Sequence, residues 1–151
     1  LLSTGGGRLE RAETAKTLAL TLSAPAVDVV DVLLLDDNAD IHQLFSRYLA
    51  ETRYRLRSGE VERLWELVAE QRPQVILLDV MMPGVDGWEL LGRLRQHPLT
   101  GALPIIVCTI LPERDLALSL GATDFLPKPV SRQALLAALG RALGEMPPEP
   151  R

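Results

Sequence analysis

Five polar residues stand at or just behind the ends of short apolar runs, and their types suggest one kind of chemistry. They are Asp36, Asp37, Asp79, Thr109 and Lys128. Three carboxylates converging in one place would repel one another unless a cation neutralised them, and Mg²⁺ suits hard oxygen ligands. A single aspartate in such a position is often only a helix cap or a turn former. The interpretation as a Mg²⁺ site therefore depends on all five residues coinciding.

The segments that must position these residues alternate between short, β-branched apolar runs and longer amphipathic stretches. We expect strands over residues 29–36, 54–57, 75–79, 105–109 and 123–126, and helices over residues 41–51, 60–71, 86–96, 112–120 and 131–143. Three of these strands are almost wholly apolar, as strands buried on both faces are. The alternation predicts an α/β fold with a doubly wound, five-stranded parallel sheet and helices on both faces. In such sheets functional groups gather at the carboxyl ends of the strands, where the five polar residues fall.

The composition restricts the class of protein. The 151 residues, 47% of them hydrophobic, suffice for one domain with a substantial core. A net charge of −4 with scattered Lys and Arg argues against direct binding of nucleic acid. No apolar stretch approaches the roughly 20 residues of a membrane span, so we expect no membrane association. The single cysteine, Cys108, lies in an apolar run and fits a reducing cytoplasm.

The two ends of the chain differ from its middle. Residues 1–26 begin Gly-rich and contain an alternating apolar run over 17–23, so we expect a linker or the remnant of an upstream domain. Residues 27–144 carry the regular alternation and form the expected domain. Residues 145–151 are Pro-rich and are expected to be an extended or disordered tail.

Four segments resemble, in the same order, the signature segments of bacterial response-regulator receiver domains. They read Leu-Leu-Leu-Asp-Asp-Asn at 33–38, Leu-Leu-Asp-Val-Met-Met-Pro-Gly-Val-Asp-Gly at 77–87, Ile-Ile-Val-Cys-Thr at 105–109 and Gly-Ala-Thr-Asp-Phe-Leu-Pro-Lys-Pro at 121–129. An Asp pair or a Lys-Pro pair is common, but the second segment is highly specific. The resemblance covers roughly residues 29–143 and implies a CheY-like, flavodoxin-like fold with strand order 2-1-3-4-5.

The resemblance also implies how the site works in two-component phosphorelay signal transduction. Asp79 would take a phosphoryl group from the phosphohistidine of a sensor histidine kinase or a phosphotransfer protein. Mg²⁺ would be held by Asp36, Asp37, Asp79 and the backbone carbonyl of Met81, with Asp37 as a direct ligand and Asp36 binding directly or through water. Lys128 would pair with a phosphoryl oxygen, whereas the plain alternative is a solvated lysine.

Two further residues would convert phosphorylation into a change of surface. Thr109 would hydrogen-bond the phosphoryl group and draw its loop along, and Phe125 stands where the family has its switch aromatic, which moves inward. The plain alternative for Phe125 is permanent core packing. The changed surface would act on an output domain in the parent protein or on a separate effector, and a homodimer is possible.

The sequence departs from the family pattern between Thr109 and Lys128. This interval is shorter by about one helical turn, so we expect the fourth helix to be short or irregular. Ile110 occupies a position where a small residue is commoner, and Leu111 follows it. Two bulky apolar side chains at the mouth of the site could hinder an attacking water, so we expect slow hydrolysis of the phosphoryl group.

Other classes of protein share parts of the pattern. An aspartyl-phosphate phosphohydrolase combines an α/β sheet, an aspartate nucleophile and Mg²⁺, but usually carries a second aspartate where this chain has Met81. A flavodoxin-like cofactor binder needs Gly, Ser or Thr donors where the first strand runs into Asp36 and Asp37. A receiver used only as a docking module stays open, although the full set of acidic, Thr and Lys positions argues against it. We therefore expect a switch that is not an enzyme.

Overall fold

The computed structural model describes residues 28–145, over which strands and helices alternate as expected. In chain order the elements are β1 (Val30–Leu35), α1 (Ala39–Leu49), β2 (Tyr54–Ser58), α2 (Leu64–Glu70), β3 (Val75–Leu78), α3 (Gly87–Gln96), β4 (Ile105–Thr109), α4 (Arg114–Ser119), β5 (Asp124–Pro127) and α5 (Arg132–Ala142). A 3₁₀ turn over Val61–Arg63 precedes α2, and a small hairpin pairs Met81–Met82 with Val85–Asp86 after β3. The strand expected over 17–23 and the tail from 146 onward lie outside the described residues.

The five long strands form one parallel sheet in the order β2-β1-β3-β4-β5. This confirms the predicted fold class and the strand order 2-1-3-4-5. The reversal of order between β1 and β3 makes this edge of the sheet the place where a doubly wound fold offers a site. In the register of the sheet, Leu35 at the end of β1 lies beside Leu78 at the end of β3.

The core lies on both faces of the sheet. On β1, Leu33 and Leu35 pack in the cluster with α2 and α3, whereas Val32 and Leu34 pack on the opposite face with α1 and α5. Because successive strand residues point to opposite faces, a strand covered on both sides must be apolar throughout. All four side chains are at most 1% exposed. Truncating one of them to alanine should cost about 2–5 kcal/mol.

The fourth helix is short, as the short interval between Thr109 and Lys128 predicted. Helix α4 has six residues, and within them only Ala117 is buried. Leu116, Leu118 and the following Leu120 are between 37% and 39% exposed. Within residues 28–145, the longest helices are too short and too polar to cross a membrane.

Candidate functional site

The ends of β1 and β3 bring two aspartates together. The strand pairing extends one step past Leu35 and Leu78, where the Asp79 amide donates to the Leu35 carbonyl at 2.9 Å. Asp36 and Asp79 then follow side by side at the carboxyl edge and are only 4% and 5% exposed. Asp37, the next residue, is exposed. Each of the three carboxylates offers an oxygen within 4.8 Å of the others.

Backbone amides hold one oxygen of each buried carboxylate. The Asn38 amide donates to Asp36 Oδ1 at 2.8 Å, and the Met81 amide donates to Asp79 Oδ1 at 2.9 Å. Asn38 in turn caps α1, because its side-chain oxygen accepts the Asp40 amide. The chain therefore fixes the orientation of both carboxylates through turns that begin where the strands end.

Lys128 places a cation on the remaining oxygens. Its Nζ lies 2.8 Å from Asp36 Oδ2 and 3.2 Å from Asp79 Oδ2, and its side chain is only 13% exposed. The Lys128 amide donates to the Thr109 carbonyl, which ties this residue to the end of β4, and the Lys128–Pro129 peptide is cis. Burial alone would lower the pKa of Lys128, but hydrogen bonding and the charges of Asp36 and Asp79 outweigh burial and raise it.

A cavity of about 360 Å³ opens above these groups. It is lined by Asp37, Asn38, Asp79, Met81, Ile110 and Lys128. A larger hollow of about 710 Å³ adjoins the site on the side of Asp36 and Asp37, between α1 and the hairpin after β3. The potential donors at the junction are carboxylate and carbonyl oxygens, which suit a hard cation such as Mg²⁺ and not a softer transition metal. Three carboxylates beside one ammonium leave negative charge in excess, so the residues fit a divalent cation.

The two expected switch residues lie behind the site. Thr109 is fully buried, and its hydroxyl oxygen accepts the Leu111 amide at 3.3 Å. Phe125 is 5% exposed and packs in the core cluster on the α2, α3 and α4 side of the sheet. Within the described chain, the cavity lining includes neither of them. The structure thus places Thr109 and Phe125 in the protein interior, next to the cavity lining and not in it.

Two details differ from expectation. Ile110 lines the cavity and is 64% exposed, but Leu111 is half-buried and packs against the core, so one bulky apolar side chain stands at the mouth instead of two. His42, which no sequence motif indicated, is half-buried and its Nε2 contacts the Asp36 backbone carbonyl. The helix cap at Asn38 could have indicated this contact, because it puts His42 one turn into α1, above the end of β1.

Comparison with known proteins gives a family. The model of the response regulator receiver domain matches residues 32–140. The phosphate regulon transcriptional regulatory protein PhoB of Pseudomonas aeruginosa is 34% identical over 116 residues, covering 74% of this chain and 51% of that protein. The chain therefore spans about half the length of this relative.

Solved structures agree with the sequence comparison. The chemotaxis protein CheY4 of Vibrio cholerae aligns with a TM-score of 0.69 at 27% identity, over 76% of this chain and 98% of that one. The receiver domain of a sensor histidine kinase from Pseudomonas aeruginosa, which has a magnesium ion coordinated in its active site cleft, aligns with a TM-score of 0.68 at 26% identity, over 78% and 99%. The family match covers well over half of the sequence and spans every residue of the site, and the chain belongs to the response regulator receiver domain family.

Proposed function

We propose that this chain is a phosphoacceptor switch in which Asp79 receives a phosphoryl group from a phosphohistidine in a Mg²⁺-dependent reaction. The observation that supports this most directly is the meeting of Asp36, Asp37 and Asp79 with the Lys128 ammonium at one edge of the sheet. The donor would be a sensor histidine kinase or a phosphotransfer protein. Acting in the cytoplasm, the receiver would comprise residues 27–144, joined to a linker or upstream remnant over 1–26 and a tail over 145–151.

Asp79 would act as the nucleophile. A carboxylate oxygen attacks phosphorus in line with the P–N bond of the donor, the new O–P bond forms, and the imidazole leaves with the electron pair and takes up a proton. The hydrogen bond from the Met81 amide orients Asp79 for this attack without neutralising it. The cavity above Asp79 gives the donor imidazole a path of approach.

The metal would be held by Asp37 and Asp79 directly, by Asp36 directly or through water, and by the Met81 backbone carbonyl. When bound, Mg²⁺ supplies positive charge to the phosphoryl oxygens during transfer. Lys128 would then turn its ammonium from the aspartates toward a phosphoryl oxygen. Since Lys128 now contacts both buried carboxylates, arrival of the metal would free it for that role.

The response of the domain would begin at Thr109. Its hydroxyl, which now accepts the Leu111 amide, would turn and donate to a phosphoryl oxygen. The loop behind Thr109 would follow this movement. In the β4–β5 register Phe125 lies beside Val107, which is two residues before Thr109. Movement of the end of β4 would therefore reach the Phe125 side chain. The doubly charged phosphoryl group would favour one of two arrangements, as a shift of populations. The changed surface would act on an output domain or on a separate effector, and a homodimer is one form this output could take.

The test is intact mass after incubation with acetyl phosphate and Mg²⁺. We expect a gain of one phosphoryl group that disappears in Asp79→Asn and in a chelated sample. Asp115→Asn, which removes an exposed carboxylate in α4, serves as the matched control and should be labelled like the wild type. Labelling of Asp79→Asn, or labelling without Mg²⁺, would contradict the proposal. Release of many equivalents of phosphate per chain would instead support the phosphohydrolase alternative.

A further inference from the structure

A single arginine on α3 joins three separate parts of the fold. Arg95 Nε donates to the Gly121 carbonyl at 2.7 Å, and Nη1 donates to the Leu103 and Gly101 carbonyls at 2.5 and 3.3 Å. Its Nη2 donates to Thr123 Oγ1 at 3.1 Å. One side chain thus links the end of α3, the loop before β4 and the connection between α4 and β5.

These contacts depend on the shape of the guanidinium group. Within residues 28–145, Arg95 forms no ion pair, so its charge rests on carbonyl and hydroxyl dipoles. Burial lowers the pKa of Arg95, although arginine stays charged at any ordinary pH. The planar fork supplies donors in fixed directions, and a lysine ammonium on its flexible stem cannot reach the same acceptors together.

One acceptor of Arg95, Gly121, directly follows the C-cap of α4. The Gly121 amide donates to the Leu118 carbonyl and the Ala122 amide to the Ala117 carbonyl, the pair of bonds of a Schellman motif. Gly121 has φ +109, and a Cβ on it would lie 2.9 Å from Arg95 Cγ. The arginine therefore packs on this turn and bonds to it, which fixes the C-terminal end of α4 to α3.

Thr123 continues this anchor into the sheet. Its hydroxyl oxygen accepts both Arg95 Nη2 and the Ile105 amide, and its own amide donates to the Ile105 carbonyl at 2.7 Å. The first residue of β4 and the residue before β5 are thereby hydrogen-bonded together at the edge of the sheet opposite the site. If the carboxyl ends of β4 and β5 move, their amino ends at Ile105 and Thr123 stay held by these hydrogen bonds.

Within the part of the chain that the structure describes, the N-terminal end of α4 is held less firmly than its C-terminal end. Glu113, its N-cap, makes no side-chain capping bond, and the preceding Ile110 is 64% exposed. The first helical residue, Arg114, reaches the Phe125 carbonyl only at 3.4 Å. This end of α4 is joined to Thr109 by the short segment 110–113, whereas the anchored end lies at the far end of the helix.

We propose that Arg95 is a positioning residue that holds the C-terminal end of α4 in place, so that displacement of Thr109 turns the helix about Gly121. This inference rests on the proposed function, because it takes phosphorylation of Asp79 as the source of the displacement. Without the anchor, α4 would shift as a whole or loosen at both ends. Phosphorylation of Asp79 would still take place, but it would no longer move the surface of α4 in one defined direction.

The experiment is amide hydrogen exchange of the full chain with Arg95→Lys, compared with wild type and with Arg93→Lys, an exposed arginine two residues earlier on the same helix. Each protein is measured before and after incubation with acetyl phosphate and Mg²⁺, with intact mass recording the phosphoryl gain. In wild type and Arg93→Lys, exchange should change on phosphorylation at residues 110–114 and stay slow at Gly121 and Ala122. In Arg95→Lys, the Gly121 and Ala122 amides should exchange about tenfold faster, and faster still after phosphorylation.

The results distinguish failure of the Arg95 anchor from failure of the proposed phosphoacceptor function. Equal phosphorylation with unchanged exchange at Gly121 and Ala122 in Arg95→Lys would overturn the anchor. Faster exchange spread equally over Leu77 and Leu78 in β3 would show general destabilisation and would also overturn it. A lack of phosphoryl gain in all three proteins would remove the proposed function, while the unmodified samples would still measure the anchor. Should Arg95→Lys fail to fold, Thr123→Val removes one of the acceptors and should give the same local effect at smaller size.

Discussion

The Lys128 ammonium lies 2.8 Å from Asp36 Oδ2 and 3.2 Å from Asp79 Oδ2, so one cation bridges two buried carboxylates that come from different strands. The bridge occupies the oxygens that the backbone amides leave free. It neutralises part of the charge that would otherwise keep Asp36 and Asp79 apart. In the proposed function, the same ammonium would be available to a phosphoryl oxygen once a bound Mg²⁺ neutralised the carboxylates.

Replacing Lys128 tests both roles. In Lys128→Met, we expect the rate of phosphorylation by acetyl phosphate to fall about 100-fold, because a charge directed at the reacting oxygens is lost. The free energy of unfolding without metal should also fall, by roughly 1–3 kcal/mol, since Asp36 and Asp79 stay buried without their partner. Quenched-flow mass measurements and urea denaturation give the two values. Arg132→Met, an exposed cation at the start of α5, is the control, and equal effects in both variants would contradict the assignment.

The fold and the meeting of Asp36, Asp37, Asp79 and Lys128 at one edge of the sheet could be predicted, because both follow from short-range patterns. Almost wholly apolar runs mark β1, β3 and β4. The residues directly behind β1 and β3 must meet because those strands are neighbours in the sheet. The Arg95 contacts could not be predicted, since all but one of their acceptors are backbone carbonyls that no side-chain pattern reveals. Leu111 was misplaced for a related reason. The turn closed by the Thr109 hydroxyl directs Leu111 into the core, and turn geometry after a strand depends on tertiary contacts.

Asp37 should strengthen Mg²⁺ binding and lower the free energy of unfolding of the metal-free protein. It is the exposed member of the triad and lies within 4.8 Å of the carboxylates of Asp36 and Asp79. We expect Asp37→Asn to weaken Mg²⁺ binding about tenfold and to raise the metal-free stability by roughly 0.5 kcal/mol, because it relieves like-charge repulsion. Calorimetric titration with Mg²⁺ and thermal unfolding in chelator measure these changes. In Asp28→Asn, which removes an exposed carboxylate ahead of β1, neither should change; a loss of metal-free stability in Asp37→Asn would refute the repulsion.

Ile110 should prolong the life of the phosphoryl group. It lines the cavity above Asp79 and is 64% exposed, so its side chain covers a path for water. We expect Ile110→Ala to shorten the half-life about five- to tenfold, as the barrier falls by roughly 1 kcal/mol. The half-life is read from intact mass after acetyl phosphate is removed by desalting. Leu116→Ala, an exposed leucine of α4 that does not line the cavity, should keep the wild-type half-life, and a similar change in both variants would refute the shielding role.

Cys108 should make the free energy of unfolding depend on pH in the alkaline range. It lies in β4, is 1% exposed, and burial raises the pKa of its thiol from 9.0 to about 12. The folded protein therefore keeps the proton over a range in which the unfolded chain releases it. The resulting stabilisation is complete below pH 9.0 and declines as pH rises toward 12, by about 1.4 kcal/mol for each pH unit.

Two measurements check this dependence. The difference in free energy of unfolding between wild type and Cys108→Ala should be constant from pH 7 to about 9 and shrink above it. At pH 8 the folded thiol should react with iodoacetamide only through unfolding, because the thiolate is the reactive form and is almost absent. A pH-independent difference between the two proteins would contradict the raised pKa. Rapid alkylation of the folded chain at pH 8 would contradict the burial of Cys108 itself.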